Sequence, residues 1–188
     1  MSNEPFKEEK AAVLAWWRQL QPQDAEGRST RGDRAAIARL KRVPNILEAA
    51  AEPAAANLYR RVGFTRPSID LPRAALLAAV LAHVKKDDPL HPVAEAIGAP
   101  RSGDETAALI SPLRFKRIVS AREPDELLIV FRRVVAILGG RADIKNIAAV
   151  LLGFTDARWG DITRTQFAFA YHGASLAAPK LEAEQITI

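Results

Sequence analysis

Residues 28–42, which read RSTRGDRAAIARLKR, predict a helix with one apolar side and one strongly basic side. Thr30 and Asp33 fit the Ser/Thr-x-x-acid capping pattern, and either residue could cap the first turn. The apolar residues at helical spacing are Ala36, Ile37, Leu40 and Val43. This spacing is typical of a helix face that packs against a core. Pro44 ends the run, because proline disfavours helical geometry in the residue before it.

The other side of this helix is basic. Six cations face a single acid, Asp33, and we call these six residues the basic ridge: Arg28, Arg31, Arg34, Arg39, Lys41 and Arg42. A folded, one-sided basic surface suits a polyanion, and nucleic acid is the most common large polyanion in cells. The alternative interpretation is a solvated helix face with an excess of arginine. The ridge alone does not decide between the two.

Composition narrows the class of protein. The chain has 188 residues, a hydrophobic share of 48%, a formal net charge of +5 and no cysteine. Without cysteine there are no disulfides, thiolate zinc sites or cysteine nucleophiles. The N-terminus, MSNEPFKEEK, lacks the basic and then apolar run of a signal peptide, and the longest apolar run, residues 74–82, is far shorter than the ~20 residues that span a bilayer. We therefore expect a soluble cytoplasmic protein that binds no cofactor and no membrane.

Helical periodicity extends through almost the whole chain, with prolines and glycines between the segments. The first predicted helix starts near Pro5 and ends before Pro22, and the basic ridge forms the second. The remaining predicted helices occupy residues 44–51, 53–62, 72–84, 92–97, 109–121, 124–138, 143–152 and 161–171. No pair of strands with hairpin turn chemistry appears. The sequence therefore predicts an all-α fold.

The helices are predicted to form a two-lobed helical bundle. Residues 85–105 are rich in proline, glycine and charge, and they are the best candidate for a boundary between two helical lobes. We expect an N-terminal helical lobe over residues 1–98 and a C-terminal helical lobe over residues 106–174. Residues 175–188 show no clear periodicity and are expected to form a loose tail.

Two further groups of basic residues lie outside the ridge. Arg114, Lys116 and Arg117 share one predicted helix that contains no acid, and the second group consists of Arg132, Arg133, Arg141 and Lys145. Arg132 and Arg133 also have a structural interpretation, because they could pair with nearby acids at positions 123, 125 and 126. If the fold brings these groups onto one face, they form a stripe that can follow a phosphate backbone. The sequence does not show whether they converge.

The sequence shows no arrangement of residues that supports catalysis. His83 and Asp87 come nearest to a metal-ligand pair, since they would share one face if their helix continued. Pro89 breaks that geometry, so we expect no metal site. The chain has no Gly-x-x-x-x-Gly-Lys-Ser/Thr phosphate loop and no Gly-x-Ser-x-Gly elbow. We predict that the protein is not an enzyme, and a helical metal-dependent enzyme that uses His83 and Asp87 remains an alternative.

Trp16 and Trp17 follow one another on the first predicted helix. Successive residues point about 100° apart on a helix, so we expect one of the two side chains to be half-exposed. A half-exposed tryptophan can stack on a base or fill a subunit interface. Packing in the core is the expected role of at least one of them.

Several motifs follow one another in a fixed order along the chain. The main ones are Trp16-Trp17, Arg31-Gly32-Asp33-Arg34-Ala35, Leu58-Tyr59-Arg60-Arg61, Arg114-Phe115-Lys116-Arg117 and a final Gln166-Phe167-x-x-x-Tyr171 helix. This order resembles the CasB family, the small subunit of type I-E CRISPR surveillance complexes (Cascade). The resemblance covers about residues 11–174.

The resemblance implies an all-helical, non-enzymatic subunit that lies in two copies along an RNA-guided complex. The implied partners are the CRISPR guide RNA, the target DNA, other subunits of the complex and a second copy of the chain. Basic surfaces would then hold the guide–target hybrid and the displaced strand, and base pairing elsewhere would read the sequence. An independent helical DNA-binding regulator is the alternative. That function needs a recognition helix, and the ridge lacks the Asn and Gln residues that read adenine.

Overall fold

Ten α-helices make up most of the structure, a computed structural model that describes residues 6–22, 28, 31–101 and 104–173. They are α1 (Lys7–Leu20), α2 (Arg34–Arg42), α3 (Ile46–Ala50), α4 (Pro53–Val62), α5 (Pro67–Leu81), α6 (Val93–Gly98), α7 (Pro112–Ser120), α8 (Pro124–Ile137), α9 (Ile144–Phe154) and α10 (Gly160–Tyr171). The predicted all-α fold is confirmed. Among the described residues, no helix is both long and apolar enough to cross a membrane.

Four short strands accompany the helices, and the sequence did not predict them. β1 (Lys86–Asp87) pairs in parallel with β4 (Arg141–Ala142). β2 (Pro100–Arg101) pairs antiparallel with β3 (Asp104–Ala108). Two-residue strands are too short to show alternating hydrophobicity, and β1 and β4 are far apart in the chain. Their pairing is therefore visible only once the helices are packed.

The start of α5 differs from its predicted position. We expected the helix to begin at Pro72, because proline is favoured in the first helical turn. The first turn is instead formed at Pro67, and Pro72 lies inside the helix. The buried carboxylate of Asp70 accepts a hydrogen bond from the backbone N–H of Arg66, at 2.9 Å, and so holds this earlier turn.

A continuous hydrophobic core joins helices from both sides of the predicted lobe boundary. The second half of α5 is buried on every side and packs against α3, α4 and α8. α1 packs against α9, and α10 packs against α6 and α9. Both sides of the predicted boundary thus contribute side chains to one core. The division into an N-terminal and a C-terminal lobe stays a prediction.

Both tryptophans of α1 belong to this core. Trp16 is 1% exposed and Trp17 is 6% exposed, so the expected half-exposed tryptophan was wrong. The reason is that α1 packs between α4 and α9, which cover two sides of the helix. The indole N–H of Trp16 donates to the carbonyl oxygen of Ala54 at 3.2 Å. Neither ring is available to stack on a base.

Arg164 of α10 is a buried arginine, with 5% of its surface exposed. Its guanidinium donates to four backbone carbonyl oxygens, those of Val119 at 3.0 Å, Ala121 at 2.8 Å, Phe154 at 3.0 Å and Gly160 at 3.2 Å. These carbonyls come from the ends of α7 and α9 and the start of α10. One side chain therefore joins three helix termini in the C-terminal half of the fold.

Candidate nucleic-acid interface

The helix predicted for the basic ridge forms as α2, and its capping residue is Asp33. The carboxylate of Asp33 accepts a hydrogen bond from the backbone N–H of Ala36 at 2.8 Å. The other candidate cap, Thr30, lies outside the described residues. Ala36 and Leu40 are 1% and 0% exposed, as the apolar spacing predicts. The amphipathic helix and its orientation toward the core are therefore confirmed.

Four of the six ridge cations lie on α2, whereas Arg28 and Arg31, predicted in the same helix, precede its first residue. Arg28, Arg31, Arg34, Arg39 and Arg42 are exposed, whereas Lys41 is partly buried. Arg39 and Arg42 are three residues apart, so they occupy neighbouring positions on one helix face. The helix thus presents a row of guanidinium groups opposite its buried stripe.

One ridge arginine has an acidic partner. The Nε of Arg39 lies 2.8 Å from Oε2 of Glu52, and this hydrogen bond raises the pKa of Arg39 above its usual range. Glu52 precedes the first residue of α4, and its side chain is only 18% exposed and bound to Arg39, so the carboxylate has a fixed position. The Arg39 side chain remains 48% exposed beside it. A polyanion that approaches Arg39 therefore meets the fixed negative charge of Glu52.

Arg132 of α8 contacts the C-terminal end of α2, the helix that carries the ridge. Its guanidinium donates to the carbonyl oxygens of Val43 at 2.7 Å and Leu40 at 3.2 Å, at the end of α2. A cation at this place caps the unpaired carbonyls and favours the helix dipole. Burial lowers the pKa of Arg132. Its neighbour Arg133 is exposed.

The acids that could have paired with Arg132 and Arg133 have other partners. Asp125 accepts a hydrogen bond from the backbone N–H of Ile46 at 2.7 Å, and Glu126 accepts one from the backbone N–H of Arg122 at 3.0 Å. These contacts join α3 to α8 and cap the start of α8. Among the described residues, no ion pair joins Asp125 or Glu126 to Arg132 or Arg133, so the alternative interpretation as local ion pairs has no support from these two acids.

A second basic surface forms where β1 meets β4. Lys86 stands opposite Arg141 in the strand register, and the backbone N–H of Lys85 donates to the carbonyl oxygen of Gly140 at 2.8 Å. Lys85, Lys86, Arg141 and Lys145 are all exposed. Arg141 also pairs with Asp88 at 3.2 Å. The sequence analysis did not identify Lys85 and Lys86 as candidate binding residues, because their proximity to Arg141 depends on the parallel strand pair.

The ridge and this second surface are linked through His83. Both Lys41 of α2 and Arg132 of α8 lie close enough to His83 to disfavour its charged form. Lys85 follows two residues later and joins the turn after α8 through Gly140. The described contacts therefore connect α2, α8 and the β1–β4 pair as neighbours, and two of the three predicted basic groups lie on adjoining elements.

The third basic group lies elsewhere. Arg114, Lys116 and Arg117 are exposed on α7, which packs against α8 and α10. Phe115 anchors this helix, with its ring stacked on that of Tyr171 at a centroid distance of 3.7 Å. Within the described part of the chain, no hydrogen bond or ion pair joins these three cations to the ridge. Their role in binding remains a prediction.

Asp87, one half of the proposed metal pair, has a structural role. It accepts a hydrogen bond from the backbone N–H of Ile144 at 3.1 Å, at the start of α9. Over residues 6–22, 28, 31–101 and 104–173, no group of three or more His, Asp or Glu side chains is placed to hold a metal ion. The carboxylate of Asp87 is thus part of the link between β1 and α9.

We expect His83 to make the protein less stable in mild acid. Burial is the main cause that lowers the pKa of His83 from 6.5 to about 4, and Arg132 and Lys41 add to it. As the pH falls from 6.5 toward 4, the unfolded chain takes up a proton at this histidine before the folded protein does. The contribution is complete above pH 6.5 and is lost as the pH approaches 4.

The measurement is urea unfolding at several values in the upper part of this pH window, where carboxylates titrate little. The variant His83→Gln should lose less of its free energy of unfolding than the parent over the same window. His91→Gln is the matched control, because His91 is 65% exposed. An equal loss in His83→Gln and the parent would show that His83 has no such effect.

Comparisons relate the chain to known proteins. A family model described as CRISPR-associated protein Cse2 matches residues 33–172. Among solved structures, the crystal structure of CasB from Thermus thermophilus is similar, with a TM-score of 0.62 and 23% sequence identity. The match covers 88% of this chain and 98% of that chain, and it shows a shared fold. A search of curated proteins finds no match.

Proposed function

The chain belongs to the CRISPR-associated Cse2 family, whose model matches residues 33–172, and from this membership we propose that it is a non-catalytic subunit of a Cascade-type complex. In this proposal the basic ridge binds the phosphate backbone of nucleic acid. The observation that carries it is the exposed row of guanidinium groups on α2, with Asp33 capping one end of the helix and Arg132 the other. A capped helix holds the cations in a fixed array.

The proposed ligand is nucleic acid within the assembled complex. Guide RNA and target DNA pair with each other, so the subunit needs contacts to phosphates rather than to base edges. The exposed side chains of α2 are those of Arg34, Ala35, Arg39 and Arg42. Lys41 is partly buried. Arginine binds phosphate oxygens in a forked geometry and is well suited to this role. Stabilisation of the guide–target hybrid and of the displaced strand follows as the finer proposal.

Further proposed partners are the other subunits of the complex and a second copy of this chain. The family membership supports both. The two alternative functions have less support. Asp87 accepts a hydrogen bond from the first backbone N–H of α9, which argues against an enzyme that uses His83 and Asp87. An independent DNA-binding regulator that reads adenine needs Asn or Gln on its recognition helix, and α2 contains neither.

The salt dependence of binding tests this proposal. We expect the purified protein to bind labelled RNA, single-stranded DNA and duplex DNA weakly and with little sequence preference. Plots of log Kobs against log salt should be linear, with a slope of about −0.9 per phosphate neutralised on duplex and about −0.7 on single strands. Fluorescence anisotropy measures the affinity. Affinity that does not change with salt, or that depends strongly on one sequence, would contradict the proposal.

A further inference from the structure

Three helix ends meet beside the start of the basic ridge. The backbone N–H of Asp33, just before α2, donates to the carbonyl oxygen of Leu20 at the end of α1, at 3.0 Å. The guanidinium of Arg61, in the last turn of α4, donates to the side-chain oxygen of Gln19 in α1, at 2.5 Å. The C-terminal ends of α1 and α4 therefore lie beside the N-terminal end of α2.

This junction is strongly cationic. Arg18 and Arg61 are exposed in the last turns of α1 and α4, and Arg31 and Arg34 flank the contact on the α2 side. Among the described residues between α1 and α2, the acid is Asp33, and its carboxylate is bonded to the N–H of Ala36. Asp24 and Glu26 of the same segment lie outside the described residues. Arginines of α1, α2 and α4, together with Arg31 just before α2, thus lie at the three helix ends that meet here.

Helix dipoles account for only part of this arrangement. Cations are favoured near helix C-termini, which explains why arginine occurs at the ends of α1 and α4. That effect would direct Arg61 toward the carbonyls of its own helix. Its hydrogen bond runs instead to Gln19 on the neighbouring helix. The bond fixes the guanidinium of Arg61 beside the last turn of α1, which also carries Arg18.

We propose that Arg18 and Arg61, together with Arg31 and Arg34, bind a backbone phosphate of the nucleic acid and extend its path past the N-terminal end of α2. This inference rests on the proposed function of the ridge. α2 has nine residues, so at 1.5 Å per residue it spans ~13 Å, about four nucleotides of a single strand. The junction lengthens the binding site beyond that span and onto α1 and α4.

The test compares two double variants with the same change in net charge. Arg18→Gln/Arg61→Gln removes two charges at the junction. Lys7→Gln/Arg158→Gln is the control: Lys7 lies at the opposite end of α1, and Arg158 lies in the turn before α10. We expect the junction variant to weaken single-strand binding about tenfold and to reduce the salt slope by about 0.7 or more. The control should stay within about twofold of the parent.

Binding of the ridge variant Arg34→Glu/Arg39→Glu/Arg42→Glu separates the two proposals. If this variant loses binding while the junction variant matches its control, the junction inference is overturned and the ridge function stands. If the ridge variant keeps its binding, the proposed role of the ridge is wrong. Circular dichroism monitors folding. Should the double variant melt below the parent, Arg18→Gln alone is measured, and an unchanged salt slope then overturns the inference.

Discussion

The variant Arg34→Glu/Arg39→Glu/Arg42→Glu is expected to fold and to lose nucleic-acid affinity by about a hundredfold or more at low salt. Each substitution replaces a phosphate contact with a repulsion, and all three positions are exposed on α2. The effect on folding should be small, about 1 kcal/mol, because Glu is favourable in the first turn of a helix and unfavourable in the last. In a reconstituted complex, target DNA should be retained less well.

The variant Glu52→Gln is expected to change binding in the opposite direction to the triple variant. Its amide still accepts the hydrogen bond from Arg39, but the fixed negative charge beside the ridge is removed. We expect binding to become tighter, with the largest gain at low salt. If the triple variant folds normally and retains DNA like the parent, the ridge is not the binding surface. The predicted nucleic-acid-binding residues would then be Arg114, Lys116 and Arg117.

Arg164→Met should lower the free energy of unfolding by about 4 kcal/mol or more, since each buried carbonyl left without a donor costs about 1–3 kcal/mol. Four carbonyl oxygens lose the guanidinium donor in this variant, including those of Ala121 and Phe154. The carbonyl of Gly160 keeps the helical bond from the backbone N–H of residue 164. A loss of this size is a large part of the 5–15 kcal/mol that is typical of a folded protein. Arg164→Lys should recover only part of it, because one ammonium cannot reach all four oxygens.

Urea unfolding followed by circular dichroism measures this effect. Arg158→Met is the matched control, because it removes an exposed arginine in the turn before α10 and should change stability by less than about 0.5 kcal/mol. A drop of less than about 1 kcal/mol in Arg164→Met would show that water replaces the lost donors. The joining role of Arg164 would then be wrong.

The helices were predictable because their periodicity and their end signals agree. α4 occupies the predicted residues 53–62, with proline in its first turn and Gly63 in the left-handed conformation after its end. α2 also carries its own cap in Asp33. α5 was harder to place, because both Pro67 and Pro72 are candidates for a first turn. The choice depends on Asp70, whose burial is a tertiary effect.

The candidate site was predictable in part for the same reason. The ridge is local, since α2 holds its apolar stripe and four of its six cations, and the other two lie in the segment just before it. The role of Arg132 is not local, because its guanidinium binds carbonyls 89 and 92 residues away in the chain. The position of Lys86 beside Arg141 depends likewise on a parallel strand pair. Such contacts between distant segments leave no periodic signal in a sequence.

Site-specific cross-linking from α2 tests the central claim most directly. The chain has no cysteine, so one introduced cysteine takes a photo-reactive group without ambiguity. Ala35→Cys places it on the face of Arg39 and Arg42, while Ala157→Cys, in the turn before α10, is an exposed control. In a reconstituted complex with guide RNA and target DNA, we predict cross-links to nucleic acid from Ala35→Cys and few or none from Ala157→Cys. Cross-linking from the control alone would contradict the proposed role of the ridge.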